Sequence, residues 1–252
     1  MGWCVLKFGV IAEGPTDQQV IENILLGFFQ DQEDEPDIRY IQPPRPLTET
    51  PAGWGLVFKS LLRKDHEGAL QFNDYLVIHI DTDVQDEPGF DVPRRENAEE
   101  LTVSERVNRV INRLKQDIDA NFYQANSHRI VFAIAVDSIE CWLLPLLYGN
   151  DKAAKITGCL ETANRALRKL NQGGLSAGEN KFIHAYERAS RGYRKRKALI
   201  ELQDKNPSLK LFIEQLETLL SELTRNDHAA SQEYGDATPR GETPPETGSG
   251  SF

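Results

Sequence analysis

Glu13 stands between an apolar run, residues 4–12, and a Gly14-Pro15 turn, where a strand-to-helix connection has no need of a carboxylate. Asp81 and Asp83 hold the same kind of place, closing the apolar run 75–80 as Asp-Thr-Asp. Asp137 closes a further run, "RIVFAIAV", and Glu140 lies within one helical turn of it. In a parallel α/β sheet, ligands gather at the carboxyl ends of the strands. Acids from separate segments then meet at one edge. Close carboxylates repel, so such a cluster calls for a proton or a cation. Hard divalent ions such as Mg2+ take oxygen ligands and keep waters for substrate phosphates. An Asp-x-Asp in extended chain sends both carboxylates to one side, because side chains alternate. Glu13, Asp81, Asp83, Asp137 and Glu140 are therefore the candidate metal ligands.

Each also has a plainer reading. Acids favour helix entries, which would account for Glu13. Asp81 and Asp83 are turn-forming residue types. Asp137 and Glu140 have the Asp-x-x-Glu spacing of a capping box. His79, inside an apolar strand, reads as a satisfied core residue, Asp17 as an acid of the first helical turn and Trp142 as core.

A second group of candidates is basic. Lys181, Arg188, Arg191, Arg194, Lys195, Arg196 and Lys197 crowd one helical stretch. Lys181, His184, Arg188, Arg191 and Lys195 recur at spacings of three and four, near one helix face. The plain reading is a solvated face. The functional one is a clamp on a phosphate backbone, with Arg188, Arg191, Arg194 and Lys195 as nucleic-acid contacts. Lys181 is then the catalytic cation near a transferring phosphoryl group. Arg94 and Arg95 offer an alternative substrate path.

The elements that must position these groups alternate. Apolar runs near residues 4–12, 38–43, 75–81 and 129–136 predict strands, separated by helical periodicities. The order implies an α/β fold: a parallel four-stranded sheet with helices on both faces, spanning residues 1–148. Thr16, with Gln19 three residues on, predicts a capped first helix, and Ser104 caps another. Pro145 should kink its helix or break it late. Residues 83–103 form an unusually long connection. Residues 149–225 read as a helical appendage, with one helix from Phe182 to Leu202, and residues 226–252 as a tail without fixed structure.

The net charge of −10 and a pI near 5.1 oppose long-range attraction to nucleic acid, so cations or a local basic patch must meet any phosphate. Cys4, Cys141 and Cys159 form no CxxC pair and no zinc pattern. With no basic leader and no run of membrane-spanning length, they predict a reducing cytoplasm and no membrane partner.

"AEGPTD" followed by "HIDTDV" resembles the TOPRIM fold, the metal-binding domain of topoisomerases, primases and nucleases of the overcoming-lysogenization-defect type. Glu13-Gly14 and Asp81-Thr82-Asp83 match the pattern, and "DSIECWLLP" resembles a segment of small TOPRIM-like proteins from bacterial defence loci. The resemblance covers roughly residues 5–148. It implies a Mg2+-dependent phosphodiester-cleaving nuclease in anti-phage or mobile-element defence, with Mn2+ able to substitute. Glu13, Asp81 and Asp83 then hold one or two ions, Glu13 alternatively serves as general acid/base, and Glu140 supports the second ion. DNA ranks ahead of RNA as substrate, and an ATPase protein is a possible partner. The chain lacks the size and extra domains of a topoisomerase or primase. The alternative is a metal-binding regulatory subunit that docks on a partner without catalysis of its own. An Asp-x-Asp nucleotide-sugar transferase is a third reading, without the Gly-rich loop to support it.

Overall fold

The computed structural model describes residues 5–45, 53–175 and 182–235, except for the side chains of Phe182 and residues 226–235. In chain order the elements are β1 (Lys7–Ile11), α1 (Pro15–Phe28), β2 (Asp37–Gln42), α2 (Trp54–Leu62), α3 (Asp65–Phe72), β3 (Tyr75–Asp81), β4 (Arg95–Glu96), β5 (Glu99–Glu100), α4 (Val103–Lys115), α5 (Ala120–Asn126), β6 (Ile130–Ala135), α6 (Glu140–Leu147), α7 (Cys159–Lys169), α8 (Phe182–Ser190), α9 (Arg196–Leu202) and α10 (Pro207–Gly235). Two compact units divide the chain, the first ending at Leu216 and the second beginning at Glu217. In the second unit, the Ser221 and Thr224 hydroxyls donate back to the Glu217 and Leu220 carbonyls. Residues 236–252, most of the segment expected to lack structure, lie outside the described residues.

The four long strands pair in the order β2-β1-β3-β6, all parallel, as the apolar runs predict. Their Val- and Ile-rich sequences suit a sheet covered on both faces. One face sets Ile11, Ile78, Ile80, Phe132 and Ile134 against Val57 and Leu61 of α2 and Val107, Val110 and Leu114 of α4. The other presents Phe8, whose ring lies 5.3 Å from Phe29 just past α1, and His79, 6.1 Å from Trp142 of α6. On that side α8 packs on α1 and α6. The helices expected to form an appendage thus begin in the same unit as the sheet. Gln215 of α10 covers the free edge of β6. Its carbonyl oxygen accepts from the Phe132 N–H at 2.9 Å and its amide donates to the Phe132 carbonyl at 2.8 Å, satisfying groups that an open edge leaves unpaired.

Several local expectations change. Helix α1 starts at Pro15 with Gly14 as its cap, and Thr16 caps nothing. Proline's fixed φ and missing N–H suit the first helical position. Helix α4 is capped by Thr102 rather than Ser104. Glu105 completes the box, its N–H donating to Thr102 Oγ1 at 3.3 Å and its carboxylate accepting from the Thr102 N–H at 2.8 Å. Ser104 has apolar Val107 three residues on, which cannot reciprocate. The long connection holds a small hairpin, β4 against β5, turned through Asn97 and Ala98 at φ 51° and 71°. Positive φ at both central residues matches the twist of a tight hairpin. Phe90 and Val92 bury the base of this connection.

Helix α6 runs through Pro145 to Leu147. The proline cannot bond the carbonyl four residues back, that of Cys141. The Asn206 amide donates to that oxygen instead, at 3.3 Å. Cys141 and Cys159 form a disulfide that ties α6 to α7, with Cα atoms 4.9 Å apart. Disulfides are uncommon in the reducing cytoplasm that the few, widely spaced cysteines predict. Among the described residues no helix is long and apolar enough to cross a membrane.

Candidate metal centre

The centre is built where β1 and β3, neighbours in the sheet, end together. Glu13, just past β1, accepts the backbone N–H of Asp81 through Oε1 at 2.8 Å. Four residues on, in the first turn of α1, Asp17 is buried. His79 and Asp81 alternate onto one face of β3. One ligand atom each from Asp17, His79 and Asp81 lie within 4.8 Å of one another. Glu140, at the start of α6, adds its charge to Asp17 and Asp81. Its Oε1 accepts from the Tyr186 hydroxyl of α8.

Asp83 and Asp137 lie further out, close enough for Asp83's charge to act on Asp137. Thr82 locks this edge together. Its N–H donates to the carbonyls of Ala135 and Asp137 at 3.1 and 3.0 Å, and its hydroxyl accepts from the Asp137 N–H at 2.9 Å. Arg106 donates to the same hydroxyl at 2.8 Å. Asp137 has φ 68°, a left-handed conformation tolerated by Asp but uncommon outside glycine.

Burial dominates the electrostatics. It pushes the Glu13 carboxyl up to about 9, with Asp81 and Asp17 adding their repulsion. Asp17 rises to about 6, again through burial, with His79 opposing and Glu140 assisting. Asp81 is held well above the ordinary carboxylate range by burial and then by Asp17 and Glu140. Asp83 and Asp137 are raised more gently, mainly by burial. Without a cation this cluster must keep protons.

His79 adds a nitrogen. Its Nδ1 lies 2.7 Å from the Ala133 carbonyl, which can only accept, so Nδ1 carries a proton. Its Nε2 lies 3.3 Å from Asp81 Oδ1, yet both atoms are buried without a hydrogen bond. A near contact lacking hydrogen-bond alignment, inside a cluster of buried carboxylates, fits a divalent cation, which needs no donor–acceptor geometry between its ligands.

Of the predicted ligands, Glu13, Asp81 and Glu140 share the inner cluster, and Asp83 and Asp137 its outer side. Asp17 and His79 belong to the inner cluster although their sequence settings suggested a first-turn acid and a core residue. The spacings that could have marked them are Glu13 to Asp17, one helical turn, and His79 to Asp81, one strand repeat.

Lys181 lies outside the described residues. The helix expected from Phe182 to Leu202 is interrupted by a 3-10 turn, Arg191–Arg194, and an extended Lys195. The cause is close packing on Gly27 of α1. A Cβ there would lie 1.7 Å from the Tyr193 carbonyl oxygen. Arg188, Arg191, Arg194 and Lys195 therefore share no continuous helix face. Arg191 pairs with Glu187 at 2.9 Å and Arg194 with Glu22 at 3.8 Å, while Arg188 and Lys195 are exposed. Arg94, Arg95 and Arg106 instead line a cleft of about 450 Å³ with Glu100, Ile156 and Thr157. Arg94's charge reaches Asp83 and Asp137, so this cleft adjoins the outer carboxylates. No protein-family model, curated protein or solved structure matches the chain.

Proposed function

We propose that the chain is a divalent-metal-dependent phosphodiesterase of the TOPRIM kind, acting on nucleic acid. The observation that carries this reading is the meeting of Glu13, Asp17, Asp81 and Glu140 at adjoining strand ends, with Asp81 Oδ1 buried without a hydrogen bond. These residues would hold the cation, Mg2+ or Mn2+, and Asp83 with Asp137 would hold a second. A bound divalent ion supplies Lewis acidity toward a phosphate oxygen and a stronger water nucleophile.

The chain's own groups do the rest. Glu13 keeps one oxygen on the Asp81 N–H, which fixes its carboxyl plane and leaves the other oxygen to hold a cation or a proton. Tyr186 orients Glu140 through its hydroxyl. Arg106, buried against Thr82, holds the Asp81-Thr82-Asp83 turn in place. Arg94 and Arg95 are the candidates to meet neighbouring phosphates. Their present partners, Asp86 and Glu100, are surface carboxylates, and such pairs are weak enough to exchange.

The test is cleavage of plasmid DNA and single-stranded RNA by the purified chain. With Mg2+ or Mn2+ it should nick one of them, and it should fail in chelator or with Asp81→Asn. A second reading, a metal-holding subunit that docks on a partner such as an ATPase, draws on the exposed Leu62 and Phe72 of α2 and α3, 66% and 68% accessible. Cation binding without cleavage of either polymer would favour it.

A further inference from the structure

His79 is the one residue of the inner cluster that does not supply oxygen. Its ring is fully buried between strands and helix, edge-on to Trp142. Strand register sets it opposite Ala133, whose carbonyl accepts a hydrogen bond from Nδ1–H. A ring nitrogen tied to a backbone carbonyl in this way fixes the tautomer and aims the other nitrogen, the arrangement that supports metal-ligating histidines. The other nitrogen, Nε2, is aimed at Asp81 and Asp17 and makes no hydrogen bond. An unpaired buried polar atom forfeits its hydration. His66 is also buried with unpaired nitrogens, but its ring lies against Phe122, whereas the free nitrogen of His79 is the one set among carboxylates. A salt bridge to Asp81 would align an N–H with Oδ1, and at 3.3 Å the alignment is missing.

We propose that His79 Nε2 is a ligand of the inner cation, together with Asp17 and Asp81, so that the centre prefers a first-row transition ion to Mg2+. This rests on the metal-centre reading above and narrows it. Mg2+ demands oxygen and gives up its waters reluctantly. An imidazole nitrogen favours the first-row transition metals, whose affinities for such sites exceed those set by carboxylates alone. The nitrogen then discriminates among cations that an all-oxygen cluster would accept together.

The experiment uses the full chain, stripped with chelator and reloaded with Mn2+ as the probe. Pulsed electron paramagnetic resonance of the bound Mn2+ should show hyperfine coupling to an imidazole nitrogen, and calorimetry should show tighter binding of Mn2+ than of Mg2+. His79→Phe, which keeps an aromatic ring against Trp142, should remove the coupling and weaken Mn2+ roughly tenfold or more, no less than the loss of an outer-shell partner does, while Mg2+ affinity changes much less. The wild-type spectrum decides the matter even if the variant does not fold. Bound Mn2+ with no nitrogen coupling overturns the role of His79 and leaves the carboxylate centre standing. Failure of the wild type to bind either ion overturns this inference and the metal-centre reading together.

Discussion

Raising the pH of the metal-stripped protein from 6 to 8 should destabilise it. Glu13 has its carboxyl raised from 4.5 to about 9 by burial and by the neighbouring Asp81 and Asp17. An acid whose folded value lies above its unfolded one favours the fold fully below the unfolded value. That advantage is lost as pH rises toward the folded value. Between pH 6 and 8 the folded Glu13 keeps its proton and the unfolded one has lost it. Linkage then removes about 1.4 kcal/mol per pH unit, or about 3 kcal/mol over the interval. Asp81 acts in the same direction, and the titration belongs to the coupled pair. Asp17, raised only to about 6, contributes mainly below this window. For a chain of this size the melting temperature should drop by roughly 6–12 °C. Saturating Mn2+ should flatten the slope, because the cation takes the place of the protons. Glu13→Gln should reduce the slope without metal, leaving the part that Asp81 contributes. The assay is thermal unfolding in chelator and in Mn2+ at each pH. A melting temperature that stays level or rises from pH 6 to 8 in chelator would refute the buried-acid account.

Other outcomes can be checked separately. Gly27→Ala puts a Cβ 1.7 Å from the Tyr193 carbonyl oxygen, so it should cost at least about 1–3 kcal/mol of stability by denaturant unfolding. An unchanged midpoint would mean that α1 and the 3-10 turn separate easily. Reducing the Cys141–Cys159 bond, which spans 18 residues, should lower stability by about 3 kcal/mol in the chain-entropy account. Equal melting with and without reductant would contradict a formed bond. Arg94→Ala, at the cleft beside Asp83 and Asp137, should weaken nucleic-acid binding across sequences and flatten its salt dependence by about one charge. Lys195→Ala should change it less. The reverse ranking in a fluorescence-anisotropy titration would return the substrate path to the α8–α9 region.

The strands and the acids at their ends were legible in the sequence because both are local. An apolar Val/Ile run that stops at a carboxylate needs no distant partner to be recognised, and Glu13, Asp81 and Asp83 were found in this way. The Thr102–Glu105 box was equally local, since a capping box requires only its own spacing, yet Ser104 was read as the cap in its place. Other features depended on residues distant in the chain. That Glu13 reaches the Asp81 N–H follows from β3 pairing directly with β1, and periodicity says nothing about strand order. His79 looked like core because its neighbours in the chain are apolar; the carboxylate of Asp17, brought over by α1, makes its Nε2 a candidate ligand. The periodicity of residues 182–202 is helical, but Gly27 admits the Tyr193 backbone so closely that the helix gives way to a 3-10 turn. Cys141 and Cys159 carry no pairing signal in their spacing, and they meet only because α7 packs on α6. Local side-chain chemistry and alternation select the elements, whereas burial and close approach between distant segments decide which of their polar groups face one another.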